Sequence, residues 1–268
     1  MDFDNRIKNH ATSGVHCKNC AFRSRCVVDK ISEKEVDILS SSHITRSSFK
    51  EGHYLYRRGD DFAGVYSLRF GAVKTELLFR SGTTQVTNFA IPGALLGLDG
   101  IGNAKHQLDC VCLSPTEVCF IPIPNVDKMI KDYPELMNNV GGAVGVLLNS
   151  AHAHNYDLIN LNSLERLADF LISYSNHLSM VGFDRDEFNL TMSRPDLANY
   201  LGVTVETLSR SLSHLEKIGA IEVTNRHIKF LSRVPIFELL DARVTREKHD
   251  SEKDLTHRYP TFVEKRKI

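Results

Sequence analysis

Apolar and polar positions change their period three times along this 268-residue chain. From about 35 to 126, short runs rich in Val, Phe, Tyr, Leu and Thr recur at 54–56, 65–70, 73–79, 86–91 and 118–123, punctuated by glycines. Alternating segments with turn signals at this density predict a small antiparallel sandwich or barrel. Gly71 and Arg80-Ser81-Gly82-Thr83 read as two of its turns. The period then lengthens. Met137, Val140, Val144, Leu147, Ala151, His154, Leu158 and Leu161 are spaced 3, 4, 3, 4, 3, 4, 3, a heptad seam on one helix starting near Pro134. At 1.5 Å per residue it spans roughly 37 Å, more than packing on a small barrel requires, so the seam predicts a partner helix. Gly141, Gly142 and Gly145 each weaken it by about 1 kcal/mol relative to Ala, and Ala151 and His154 add little apolar volume. The pairing predicted from Val140, Val144, Leu147, Ala151, His154 and Leu158 is therefore a marginal homodimer.

Asn162 followed by Glu165 is a capping-box signature that opens a new helix, with Leu164, Leu167, Ala168, Leu171 and Ile172 as its buried face. Within the unit that follows, 193–215 carries a sharper pattern. Ser193 caps a helix, Ala198 is small where two helices cross, Gly202 supplies a tight turn, and Thr204 caps a second helix burying Leu208, Leu212 and Leu215. This is a helix-turn-helix, with Ser211 where an aliphatic residue is usual and looser packing is expected. The second helix exposes Val205, Glu206, Ser209 and Arg210 toward a major groove. Arginine can hold guanine by two bonds and a carboxylate can accept from cytosine, each contact being worth about 1–3 kcal/mol of discrimination. An exposed Glu206–Arg210 ion pair is the alternative use of those two residues. Residues 220–231 read as a two-strand wing turning at Asn225-Arg226, with Arg226 and Lys229 placed for phosphate.

Composition narrows the function. Basic and acidic residues balance at 33 each, and across 162–235 acidic residues outnumber basic ones by one, so no nonspecific polybasic coat is present. A symmetric dimer reading an inverted repeat would compensate. No apolar run approaches a membrane span and MDFDNRIKNH has no apolar signal core, which predicts a cytoplasmic protein without membrane contact. The division that results is 1–30, short and cysteine-rich; 31–132, the barrel; 133–161, the long helix; 162–235, the winged unit; and 236–268, a tail in which 15 of 33 residues are charged and most of which is expected to be mobile.

Six cysteines in such a protein are better read as ligands or free thiols than as disulfides. Cys17, Cys20 and Cys26 lie within ten residues, so one loop can wrap one metal centre, with a fourth ligand from Cys110, Cys112 or Cys119. Zinc, an iron–sulfur cluster and unrelated thiols remain alternatives at this spacing, and His16 is a further possible ligand. A thiol redox enzyme is disfavoured because Cys17-x-x-Cys20 opens no helix after a strand. No catalytic constellation is read.

The order of these parts resembles the FNR-type oxygen-responsive regulators of the CRP/FNR superfamily. The resemblance covers about 15–235 and rests on the Cys17/Cys20/Cys26 spacing, the strand Glu117-Val-Cys119-Phe-Ile-Pro122, and Gly202-Val-Thr-Val-Glu206-Thr-Leu-Ser209-Arg210. It implies an α+β fold: a cyclic-nucleotide-binding-like β-roll as sensor domain, a long dimerisation helix and a C-terminal winged helix-turn-helix. It also implies a [4Fe–4S] cluster on Cys17, Cys20, Cys26 and Cys119, with Cys110 and Cys112 spare, and a homodimer that binds DNA anaerobically. Glu206, Ser209 and Arg210 would read inverted half-sites resembling TTGAT, with RNA polymerase as protein partner. A zinc-stabilised regulator of the same family with another signal is the rival. Receptors of this superfamily that bind cyclic nucleotides use a Gly-Glu pair and a later arginine; here Ala94 follows Gly93 and no arginine occurs between Arg80 and Arg166, so no cyclic nucleotide is expected.

Overall fold

The computed structural model describes residues 11–12, 17–20, 23, 26–42, 44–123 and 133–244. It contains two compact units that divide at Gly145 and Val146, inside one long helix.

In the first unit, the alternating segments form two antiparallel sheets. One runs β1 (Ala11–Thr12), β2 (Thr45–Phe49), β9 (Thr116–Pro122), β4 (Gly64–Phe70), β7 (Leu95–Leu96). The other runs β3 (Tyr54–Tyr56), β8 (Asp109–Cys112), β5 (Val73–Leu78), β6 (Thr84–Ala90). Side chains alternate across a strand, so β4 and β9 of the first sheet serve two layers. Val118 and Phe120 of β9, with Tyr66 and Leu68 of β4, join Tyr56, Cys110 and Cys112 of the second sheet in one core. Cys119 and Ile121 face the other way. There they meet Cys17, Val27, Val28, Val36 of helix α1 (Glu33–Ser42), and Leu136 and Val140 of helix α2 (Pro134–Asn160) in a second core.

Gly64 of β4 leaves no room for a side chain against β9. A Cβ there would lie 2.3 Å from the Ile121 carbonyl oxygen and 2.8 Å from the Pro122 Cα. Gly64→Ala must displace the backbone of the strand that carries Cys119, so it is expected to cost about 1–3 kcal/mol, read as a lowered Tm.

The second unit begins in the second half of α2 and continues through α3 (Ser163–Met180), β10 (Glu187–Asn189), α4 (Arg194–Tyr200), α5 (Val205–Lys217), β11 (Ile221–Thr224), β12 (His227–Phe230) and α6 (Val234–Val244). The Asn162/Glu165 capping box forms in full. Its core includes Leu167, Leu171, Leu197, Leu208 and Leu215, all under 2% exposed. Ser211 is buried in the same layer.

Two elements add detail to the sequence pattern. The predicted tail opens as a helix: α6 crosses the 235/236 boundary, and Ile236 is fully buried. Residues 245–268 lie outside the described residues. The six heptad positions also differ in exposure within the chain. Val140 is buried in the first unit's core. The His154 ring stacks on Tyr200 at 4.1 Å, and Leu158 Cδ2 lies against Gly202. Those three residues face their own chain. Val144, Leu147 and Ala151 are exposed, and Leu148 and Ile159 join them at 55% and 81% exposure. A straight helix of 3.6 residues per turn drifts about 20° per heptad, so a strict 3-4 pattern wanders from one face to the next.

Candidate metal centre and nucleic-acid interface

The cysteine segment is built from tight turns. Cys20 N donates to Cys17 O, Arg23 N to Cys20 O, Cys26 N to Arg23 O and Asp29 N to Cys26 O, at 2.9–3.2 Å. Side chains three apart eclipse in such turns. Spacings of three and six therefore align Cys17, Cys20 and Cys26 along one edge. That edge faces the outer side of the first sheet, where Cys119 sits on β9 between Arg46 of β2 and Ser67 of β4, its direct partners in register. All four cysteines line one pocket, with Arg23, Arg46 and Arg69 among its other walls. Cys26 Sγ donates to Ser67 Oγ at 3.3 Å. Cys110 and Cys112 belong to the inter-sheet core on the opposite side of the strands, away from this pocket. His16 lies outside the described residues.

Burial and neighbouring sulfurs set the protonation of these groups. Burial first, then the charges of Cys26, Cys119 and Cys20, push the Cys17 thiol up to about 12, with Arg46 opposing. Cys119 is pushed up to about 11 by burial and Cys26, against Arg69 and Arg46. Burial also raises Cys26, against its bond to Ser67. Without a cation Cys17, Cys26 and Cys119 are therefore protonated thiols, and loading a thiophilic metal on them expels protons. Four sulfurs with cationic walls fit a soft metal centre. Among the described residues, no three His, Cys, Asp or Glu side chains converge on a single-ion site.

Asn139, buried on α2, ties this segment to the helix. Its Nδ2 donates to both Val27 O and Asp29 O at 2.7 Å. Nothing in the heptad pattern marked this residue; its signal is a polar side chain on an otherwise core-facing turn.

In the second unit, Ser193 Oγ accepts from Asp196 N and Thr204 Oγ1 from Thr207 N, the two caps expected of the helix pair. Gly202 makes the turn at φ 64°. Val205, Glu206, Ser209 and Arg210 are exposed on the first turns of α5. Ser209 Oγ donates to Val205 O at 2.9 Å and Arg210 Nη2 to Thr207 Oγ1 at 3.3 Å. The Glu206 carboxyl is held below the usual range by its own backbone N–H and the Thr204 hydroxyl, so it presents a charged acceptor. The wing forms from β11 and β12, with β10 as a third strand the sequence pattern did not show. Arg226 is exposed at its turn, whereas Lys229 pairs with Glu187 at 3.6 Å.

No helix among the described residues is long and apolar enough to cross a membrane. Residues 46–133 match the cyclic nucleotide-binding domain family and residues 165–234 the Crp-like helix-turn-helix domain family. The chain is 32% identical over 239 residues to the Anaerobic regulatory protein of Pasteurella multocida, covering 88% of each. It is 32% identical over 232 residues to the Fumarate and nitrate reduction regulatory protein of Escherichia coli, covering 84% of this chain and 91% of that one. It is 30% identical to the Transcriptional activator protein Anr of Pseudomonas protegens, covering 89% and 98%. Among solved structures, FixK2 from Bradyrhizobium japonicum superposes with a TM-score of 0.67 at 27% identity, over 73% of this chain and 96% of that one. With both domains matched and relatives spanning most of its length, the chain belongs to the CRP/FNR family, as an FNR-type regulator.

Proposed function

We propose that this chain is a DNA-binding transcription regulator active under anaerobic conditions, sensing oxygen through a [4Fe–4S] cluster on Cys17, Cys20, Cys26 and Cys119. The observation that carries the reading is the meeting of Cys119 with the amino-terminal trio around one pocket, while Cys110 and Cys112 face another core. A tetrahedral zinc site with bonds of about 2.3 Å needs sulfurs roughly 3.8 Å apart. Among the described residues no three such ligands are placed for a single ion, which supports a polynuclear centre, whose iron would react with oxygen when bound.

The residues of the chain do the rest. Cys17, Cys20 and Cys26 hold the amino-terminal turns against the sheet, and Asn139 passes their position to α2. Val144, Leu147 and Ala151 of the heptad seam, with Leu148 and Ile159, form the apolar stripe offered to a second copy. The dimer presents two α5 helices to an inverted repeat with half-sites resembling TTGAT, read by Glu206, Ser209 and Arg210, with Val205 and Arg226 alongside. RNA polymerase is the proposed protein partner. No cyclic nucleotide is assigned: the Gly97 N–H donates to Tyr56 Oη, and Asp99 accepts from Gln107 N and Leu108 N, so the loop's own groups satisfy it.

The test is anaerobic purification with iron and acid-labile sulfide assays, sedimentation and binding to a TTGAT inverted repeat, before and after air. About four irons and four sulfides per protomer are expected, with dimer and specific binding both lost in air. Stoichiometric zinc without sulfide would overturn the cluster and leave a regulator with another signal.

A further inference from the structure

We infer that Arg46 and Arg69 are the cationic partners of the centre held by Cys17, Cys20, Cys26 and Cys119, stabilising its more negative states through charge and N–H···S hydrogen bonds. The inference rests on the cluster reading above and adds the residues that tune it.

Strand register places both arginines. Arg46 on β2 is the direct partner of Cys119 on β9, and opposed residues of an antiparallel pair put their side chains on one face, with Cβ atoms about 4.5–5.5 Å apart. Arg69 occupies a β-bulge of β4, where pairing shifts between Leu68 and Phe70 against β9. Bulges re-aim a side chain and recur beside functional sites. Here the re-aimed guanidinium lines the cysteine pocket and interacts with Cys20 and Cys119.

Glu117 holds the pair without cancelling it. Its Oε1 accepts from Arg69 Nη1 and lies 3.6 Å from Arg46 Nε, beyond hydrogen-bond distance. The Nε–H groups of both arginines are buried without a hydrogen-bond partner, an arrangement that native structures avoid unless an acceptor is supplied. Thiolates and inorganic sulfides are such acceptors. Charge gives the same answer. Arg23, Arg46 and Arg69 against Glu117 leave a net of two positive charges around the pocket. Four thiolates on a doubly positive cluster core carry a net of about minus two. Cluster potentials follow net charge and hydrogen bonds to sulfur, so removing either cation should make reduction harder.

The experiment is spectroelectrochemical titration of the full-length chain, purified anaerobically, beside Arg46→Gln, Arg69→Gln and Glu117→Gln, with iron and sulfide assayed in each. Each arginine variant is expected to lower the one-electron reduction equilibrium about tenfold, a fall of about 59 mV in potential. Glu117→Gln keeps both cations and is expected to raise it, a sign that a merely structural role would not produce. It also stays informative where an arginine variant fails to fold. Unchanged potentials across the variants, with cluster content held, would overturn the inference. Wild-type protein lacking iron and sulfide would instead remove the cluster reading itself.

Discussion

Cys119→Ser is expected to fold but to retain little iron or sulfide after anaerobic desalting, and to lose the difference in association between air and nitrogen. Serine keeps the shape of the side chain on β9 and removes the soft thiolate, for which a hydroxyl is no substitute at a thiophilic centre. If four ligands share the roughly 10–16 kcal/mol found for structural thiolate-bound zinc, one ligand accounts for about 3 kcal/mol, or more than a hundredfold in affinity. Cys110→Ser is the control. Its side chain is fully buried in the inter-sheet core, so the substitution should lower Tm and leave cluster content per folded protomer unchanged. Iron, sulfide and circular dichroism on both proteins separate the two effects. Equal cluster loss in Cys110→Ser would sink the assignment of Cys119.

Arg210→Ala is expected to weaken binding to the specific inverted repeat by about 1–3 kcal/mol per half-site, roughly 5- to 150-fold, with little change on random DNA. Arg210 is exposed on α5 and is steadied by Thr207 Oγ1, whose own residue is bonded through its backbone N–H to the Thr204 cap. That scaffold is rigid because Leu208, Leu212 and Leu215 are buried on the far side of the helix. Anisotropy titrations at one fixed salt concentration measure both affinities, since phosphate contacts vary with salt. A loss of equal size on random DNA would show that the guanidinium touches only phosphate.

Much of this fold was legible because local chemistry and global structure agree. The caps at Asn162, Ser193 and Thr204 each satisfy orphan backbone donors with their own side chain, so their signal is short-range and survived folding. The trio Cys17, Cys20 and Cys26 was legible for a similar reason: its spacing matches a three-residue turn. What failed needed distant information. Arg46 and Cys119 are separated by most of the β-roll, and only the pairing of β2 with β9 makes them neighbours. His154 carried the right period for a seam, yet Tyr200, far along the chain, supplied the surface it covers. In the tail, counting charges over 236–268 hid the apolar start Ile236, Phe237, Leu239 and Leu240 that lets α6 form.

Asn139 offers both hydrogens of a single amide, one to Val27 O and one to Asp29 O. Withdrawing the amino-terminal turns from α2 would take this donor from the buried Val27 carbonyl and the half-buried Asp29 carbonyl together. Parting the two is therefore a coupled loss of two hydrogen bonds, roughly 1–3 kcal/mol in all.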